Sequence, residues 1–151
     1  LHDFSFEKRG APNPIRLIEE KVKNFTFLNN YAGDIIIAGV LKRMVHGASG
    51  RAYAKSYPGQ TYLRDLMDGQ GEDAYVHGNK YRVRFVQIGH YHTFMYYESA
   101  GVVVTHPGNF QFPNDFTIRK GLVGSQGGML VSTTVQDGKV LEYTPTFIKP
   151  R

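Results

Sequence analysis

The chain has 151 residues and a net charge of +5, with eighteen Lys plus Arg against thirteen Asp plus Glu, six His and no Cys. That length favours one domain able to bury roughly 68 to 70% of its unfolded surface, and the lack of cysteine excludes disulfides and thiolate metal sites, leaving His, Asp, Glu and Asn as strong ligands. No apolar run approaches the roughly 18 to 20 residues of a membrane span.

In chain order, Asn13-Pro14 supplies a capping residue and a proline suited to the first helical position, and Ile15, Ile18 and Val22 follow at helical spacing. The pattern predicts a helix over residues 14 to 24. Phe25 to Leu28 alternates like a strand, Asn29-Asn30 breaks it, and Ile35 to Ala38 and Val40 to Val45 predict two strands joined near Gly39. Residues 47 to 59 are rich in Gly, Ser, Ala and Tyr and predict a loop. A short helix is expected from Gln60 to Met67, then a polar, turn-like stretch from Asp68 to Asn79.

Beyond Tyr81 the chain is β-rich, with strands expected at Val83–Ile88, Phe94–Tyr97, Val102–Thr105, Gly128–Val135 and Val140–Phe147. Asp137-Gly138 between the last two is a hairpin signal. Alternating aromatics at Tyr91, Phe94, Tyr96 and Tyr97 suit strand packing better than base stacking. No repeat or linker divides the chain, so a single domain is expected. The start lacks a basic-then-apolar signal peptide, and the expected setting is cytoplasmic.

The chemistry gathers where strands end. Gly89-His90-Tyr91-His92 follows the apolar Phe85 to Ile88, so two imidazoles enter a loop two residues apart; in extended chain they would share a face, roughly 6.5 Å apart at Cα. His46 ends another expected strand, and His2-Asp3 opens the chain. Neutral imidazole ligates zinc, iron, nickel and manganese alike, so the pattern points to a metal without naming it. His106, before a Pro-Gly turn, and His77, in a polar loop, suit structural or solvated roles. The positive charge suits polyanionic partners such as nucleic acid, or serves solubility alone. Lys42, Arg43, Arg51, Lys55 and Arg64 cluster in sequence, as do Lys80, Arg82 and Arg84, without any pattern that places them on one face.

Taken in order, Leu1-His2-Asp3, Val45-His46-Gly47 and Gly89-His90-Tyr91-His92 resemble the later motifs of calcineurin-like metallophosphoesterases: a Gly-Asn-His-Asp or Gly-Asn-His-Glu motif, a lone His after a strand and Gly-His-x-His. Thr105-His106-Pro107-Gly108-Asn109 falls where the family often has an Asn-Pro-Gly-Ser turn, and His46 to Tyr57 with Gln60 resembles an archaeal or viral variant. The resemblance implies an α/β fold like the β-rich C-terminal half of a four-layer αββα sandwich. It also implies phosphodiester hydrolysis by two divalent ions (Mn, Fe, Zn or Ni) that activate a water nucleophile and stabilise in-line displacement.

By resemblance His46 and His90 hold one ion, His92 the other, His2 faces the scissile phosphate as acid or electrostatic stabiliser, and Asp3 orients His2. Tyr53, Ser56 and Tyr57 would donate to the phosphate. The family's earlier Asp-x-His and Gly-Asp-x-x-Asp motifs do not occur in this sequence, and Leu1 stands where an Asn ligand belongs. The expectation is a piece of a longer protein, a half-site completed by an N-terminal fragment or a second copy. The alternative is a non-catalytic phosphoesterase-like subunit that binds protein or nucleic acid.

Overall fold

The computed structural model describes residues 7–28, 31–47, 54, 56–70, 73–76, 79–110, 112–119 and 124–150. The chain divides into two compact units, Leu1–Gly33 and Asp34–Arg151.

In the first unit, helix α1 spans Pro14–Lys21. The Asn13 side chain caps it by accepting from the Ile15 N–H at 2.9 Å, and Pro14 occupies the first turn, where a missing N–H costs nothing. The helix ends three residues before the expected position: Val22 leaves helical geometry, and Asn24 turns the chain at φ 72°. Phe25 to Leu28 is not a strand. The Phe27 N–H donates to Glu19 Oε1 at 2.8 Å and the Arg16 guanidinium lies 5.0 Å from the Phe27 ring centre, so local side-chain partners replace a sheet neighbour.

The second unit is built on a mixed sheet in the order β1-β2-β4-β6-β5, with β3 on the early part of β4. The strands are β1 (Ala32–Ile37, whose first residues belong to the other unit), β2 (Val40–His46), β3 (Asp73–Val76), β4 (Asn79–Gly89), β5 (Phe94–Ser99) and β6 (Val102–Pro107). β2, β4 and β6 run parallel, while β3 and β5 run antiparallel to their neighbours. Strand β3 lies inside the stretch expected to be turn-like: Asp73 to Val76 has no alternating pattern of its own and is extended by pairing with Asn79 to Arg82.

Helix α2 (Tyr57–Asp65) begins three residues before the expected Gln60 and passes into a π turn, Leu66–Gln70. Its Leu63, with Leu66, packs on Leu41, Val83, Val86, Ile88, Val102 and Val104. Val83 shares that face with Val86 because the β2–β4 register slips between Leu41 and Lys42, placing Arg84 in a bulge. The opposite face meets the hairpin of β7 (Gly128–Gln136) and β8 (Lys139–Ile148), where Phe94 packs on Phe147 at 4.2 Å and Tyr96 on Tyr143 at 6.1 Å. These contacts show the expected strand packing for Phe94 and Tyr96; Tyr91 lies between β4 and β5, in neither strand.

The layers of this unit are therefore helix, sheet and hairpin, a mixed α/β arrangement. A further short helix, α3, covers Asp115–Arg119. The core strand β6 is buried from Val102 to His106, as expected of a strand covered on both faces.

Candidate metal centre

Parallel pairing sets the site. His46, the last residue of β2, lies opposite Gly89, the last residue of β4, so both strands end at the same sheet edge and His90 follows directly. The outer ends of parallel strands are where α/β sheets collect ligands. The His46 and His90 rings come together there, with centroids 4.7 Å apart and planes inclined by 55°.

His46 Nδ1 lies 2.8 Å from the Gly47 carbonyl oxygen. A carbonyl only accepts, so Nδ1 carries the proton and donates, leaving the Nε2 lone pair for a metal. The hydrogen bond thus favours a ligand-competent tautomer of His46, the chemistry that a divalent ion would need of this side chain. Among the described residues no group of three His, Asp or Glu side chains is arranged to hold an ion.

The Gly89–His92 segment does not stay extended. His90 adopts φ 81° and His92 φ 55°, left-handed backbone that costs a residue with a Cβ of order 1 to 2 kcal/mol. The same-face spacing expected of His90 and His92 is thereby lost. The carbonyl of His92 accepts from the Ser125 N–H at 2.7 Å and from Asn109 Nδ2 at 3.3 Å, fixing the turn from the loop after β6. Gly124 permits that approach: a Cβ there would strike the His92 carbonyl and lie 2.7 Å from Asn109 Nδ2.

Tyr91 is the residue that sequence reasoning passed over as packing. Its ring stands edge-on to His90 at 5.3 Å, tilts against His106 at 5.8 Å and fills the space over Gly47, where a Cβ would fall 2.5 Å from Tyr91 Cε2. It walls the histidine pair toward the core. The lone signal was Gly47 directly after His46.

The other expected site residues divide in two. His2, Asp3 and Tyr53 lie outside the described residues, as does His77. Ser56 and Tyr57 stand at the start of α2: the Ser56 hydroxyl accepts from Gln60 Nε2 at 3.3 Å and makes no cap bond, while Tyr57 is 57% exposed.

His106 is buried in β6 facing α2, and neither ring nitrogen has a hydrogen-bond partner among the described residues. Burial lowers its pKa. The Tyr97 hydroxyl beside it is likewise unpartnered, and burial pushes it up to about 12. Both polar ends meet the backbone of α2 at Gly59, where a Cβ would strike the Tyr97 hydroxyl and lie 3.1 Å from His106 Nε2.

No protein-family model matches the chain, and no curated protein does. Among solved structures it is similar to zinc-complexed Vps29 of Entamoeba histolytica, with 14% identity, 84% of this chain and 66% of that one covered, and a TM-score of 0.44. It is also similar to Vps29 of Cryptosporidium parvum (11%, 91% and 76%, 0.46) and to protein TM1076 of Thermotoga maritima (16%, 90% and 73%, 0.44). The chain spans about two thirds of the Entamoeba protein's length. At these scores the likeness carries no argument about activity, which rests on this chain's own residues.

Proposed function

We propose that this chain is a metallophosphoesterase-like interaction subunit: it carries a two-histidine half of a divalent-metal site and does not hydrolyse phosphate esters by itself. The observation that carries this reading is the His46–His90 pair at 4.7 Å, the first ring tautomerically set for ligation. Two imidazoles leave a four-coordinate ion short of ligands. The acidic motifs that would hold and bridge a metal pair are absent from the sequence. Without a bridging carboxylate two neighbouring dications repel without offset.

A protein partner is supported by an outward apolar cluster. Gly128 pairs with Ile148, and Phe110 sits over Gly128; with Leu130, one alternation further along β7, these side chains are 75% (Phe110), 57% (Leu130) and 52% (Ile148) exposed. Nucleic acid is the weaker partner. Lys42 and Arg43 alternate to opposite faces of β2, and Arg43 is bound in both forks to Asp34 at 2.8 Å, so this part of the basic cluster presents no shared face.

A second reading is favoured by the left-handed backbone at His90 and His92, since strain of this kind persists at working sites. In that reading the chain is the C-terminal half of a four-layer αββα phosphodiesterase, completed by acidic residues from another segment or chain. His46 and His90 would hold one ion and His92 would serve the second; His2, oriented by Asp3, would act on the phosphate ester, with Tyr53, Ser56 and Tyr57 as hydrogen-bond donors. Bound metal would supply Lewis-acid stabilisation of the developing charge.

The test is a calorimetric titration of the purified chain with Mn2+ and Zn2+. One weak site is expected, with affinity lowered at least about tenfold in both His46→Ala and His90→Ala, since loss of a group that merely orients a ligand already costs about 10- to 100-fold. Stoichiometric binding of two ions, or binding indifferent to both substitutions, contradicts the half-site.

A further inference from the structure

Between the sheet and the β7–β8 hairpin lies a cavity of about 350 Å³, within the roughly 300 to 1,000 Å³ of small-molecule sites. Its walls are mostly apolar: Val40 and Phe85 from the sheet, Met129, Val131 and Val135 from the hairpin. Three polar side chains on the sheet side interrupt them: Lys42 on β2, Gln87 on the neighbouring β4, and Thr105 on β6, whose hydroxyl already donates to the Val86 carbonyl at 3.3 Å; Thr133 lies on the hairpin side. None has a part in the histidine pair.

Lys42 is the unusual member. It is half-buried, desolvation lowers its pKa, and among the described residues no carboxylate pairs with it. Arg43, the next residue, has Asp34. A half-buried ammonium without a counter-ion is costly, and an anion beside it offsets that cost. One lysine and one amide donor match a single negative charge; a phosphate dianion would call for more cations. The surrounding walls suit an alkyl chain.

We propose that this cavity binds a medium-chain carboxylic acid, with its carboxylate on Lys42 and Gln87 and its alkyl chain against Val40, Phe85, Met129 and Val131. The site lies between the layers of the Asp34–Arg151 unit and is independent of the metal reading.

The experiment is calorimetric titration of the whole chain with decanoate at pH 7, with decan-1-ol as the uncharged probe. Saturable 1:1 binding is expected, at least tenfold weaker for decan-1-ol and at least tenfold weaker for decanoate in Lys42→Met. Val131→Trp, which fills the cavity, is expected to abolish binding. Its thermal midpoint reports whether it folds, and Lys42→Met keeps the test intact if it does not. Equal decanoate binding by the wild type and Lys42→Met, equal binding of decanoate and decan-1-ol, or no saturable binding up to 1 mM (on the order of the weakest affinity worth assigning) overturns the proposal.

Discussion

His106 shows how a single side chain couples this fold to pH. Its folded pKa lies below the ordinary value, with Tyr97, Tyr91 and the α2 backbone at Gly59 facing it and no carboxylate among these neighbours. The unfolded imidazole titrates near 6.5. The stability linked to this residue is therefore fully present above about pH 6.5 and is lost as the pH falls through the lower folded value, because the unfolded chain takes up a proton the buried ring does not. Replacing it by Leu is expected to flatten the fall in urea midpoint between about pH 6.5 and 5 and, since both orphaned nitrogens go, to change stability at pH 8 by no more than about 1 kcal/mol. An unaltered acid slope in His106→Leu contradicts the assignment. The sequence placed this histidine beside a Pro-Gly turn; its burial depends on β6 lying at the centre of a sheet, which no local pattern reveals. His46 and His90 were legible because each ends an apolar strand, yet their convergence requires parallel pairing at matched register. The loss of His92 from the shared face was hidden because positive φ at a histidine leaves no mark in sequence.

At the scale of elements, helix α2 seats on the sheet through a glycine. Gly59→Ala would drive a methyl against the Tyr97 hydroxyl and to within 3.2 Å of Val104 Cγ1, and overpacking of this kind costs about 1 to 3 kcal/mol. The measurement is the urea midpoint, and a change below about 0.5 kcal/mol would show that the helix shifts freely. The β1–β2 connection is fixed in another way: the fork of Arg43 donates from Nε and Nη2 to the two Asp34 oxygens, with both side chains at least three quarters buried. Asp34→Ala is expected to cost about 1.5 to 3 kcal/mol by removing the two charge-assisted hydrogen bonds that hold the guanidinium, read as a lower urea midpoint at unchanged slope. Of the turns, Asp137-Gly138 was legible from composition, and both residues take positive φ as a hairpin of this kind requires. Ala38-Gly39 and Ala100-Gly101 make the same pair of positive φ values with an alanine that advertises nothing. Phe25 to Leu28 erred in the other direction, its alternation serving contacts with Arg16 and Glu19 rather than a ladder.

For the molecule as a whole, the sequence conveys a β-rich chain with histidines at strand ends, and the fold brings two of them together at the edge of a parallel core. The cavity between sheet and hairpin was not legible, because Lys42 and Gln87 look like ordinary strand polar residues until the layers are stacked. No helix among the described residues is long and apolar enough to cross a membrane. The central claim is the proposal that the histidine pair supplies part of a metal shell and no more. It is tested most directly by measuring manganese-dependent hydrolysis of bis-p-nitrophenyl phosphate by the purified chain, with bound metal determined on the same sample. The account predicts no turnover above background and substoichiometric metal. Robust turnover lost in EDTA and in His90→Ala would contradict it and would establish that this chain completes a catalytic site.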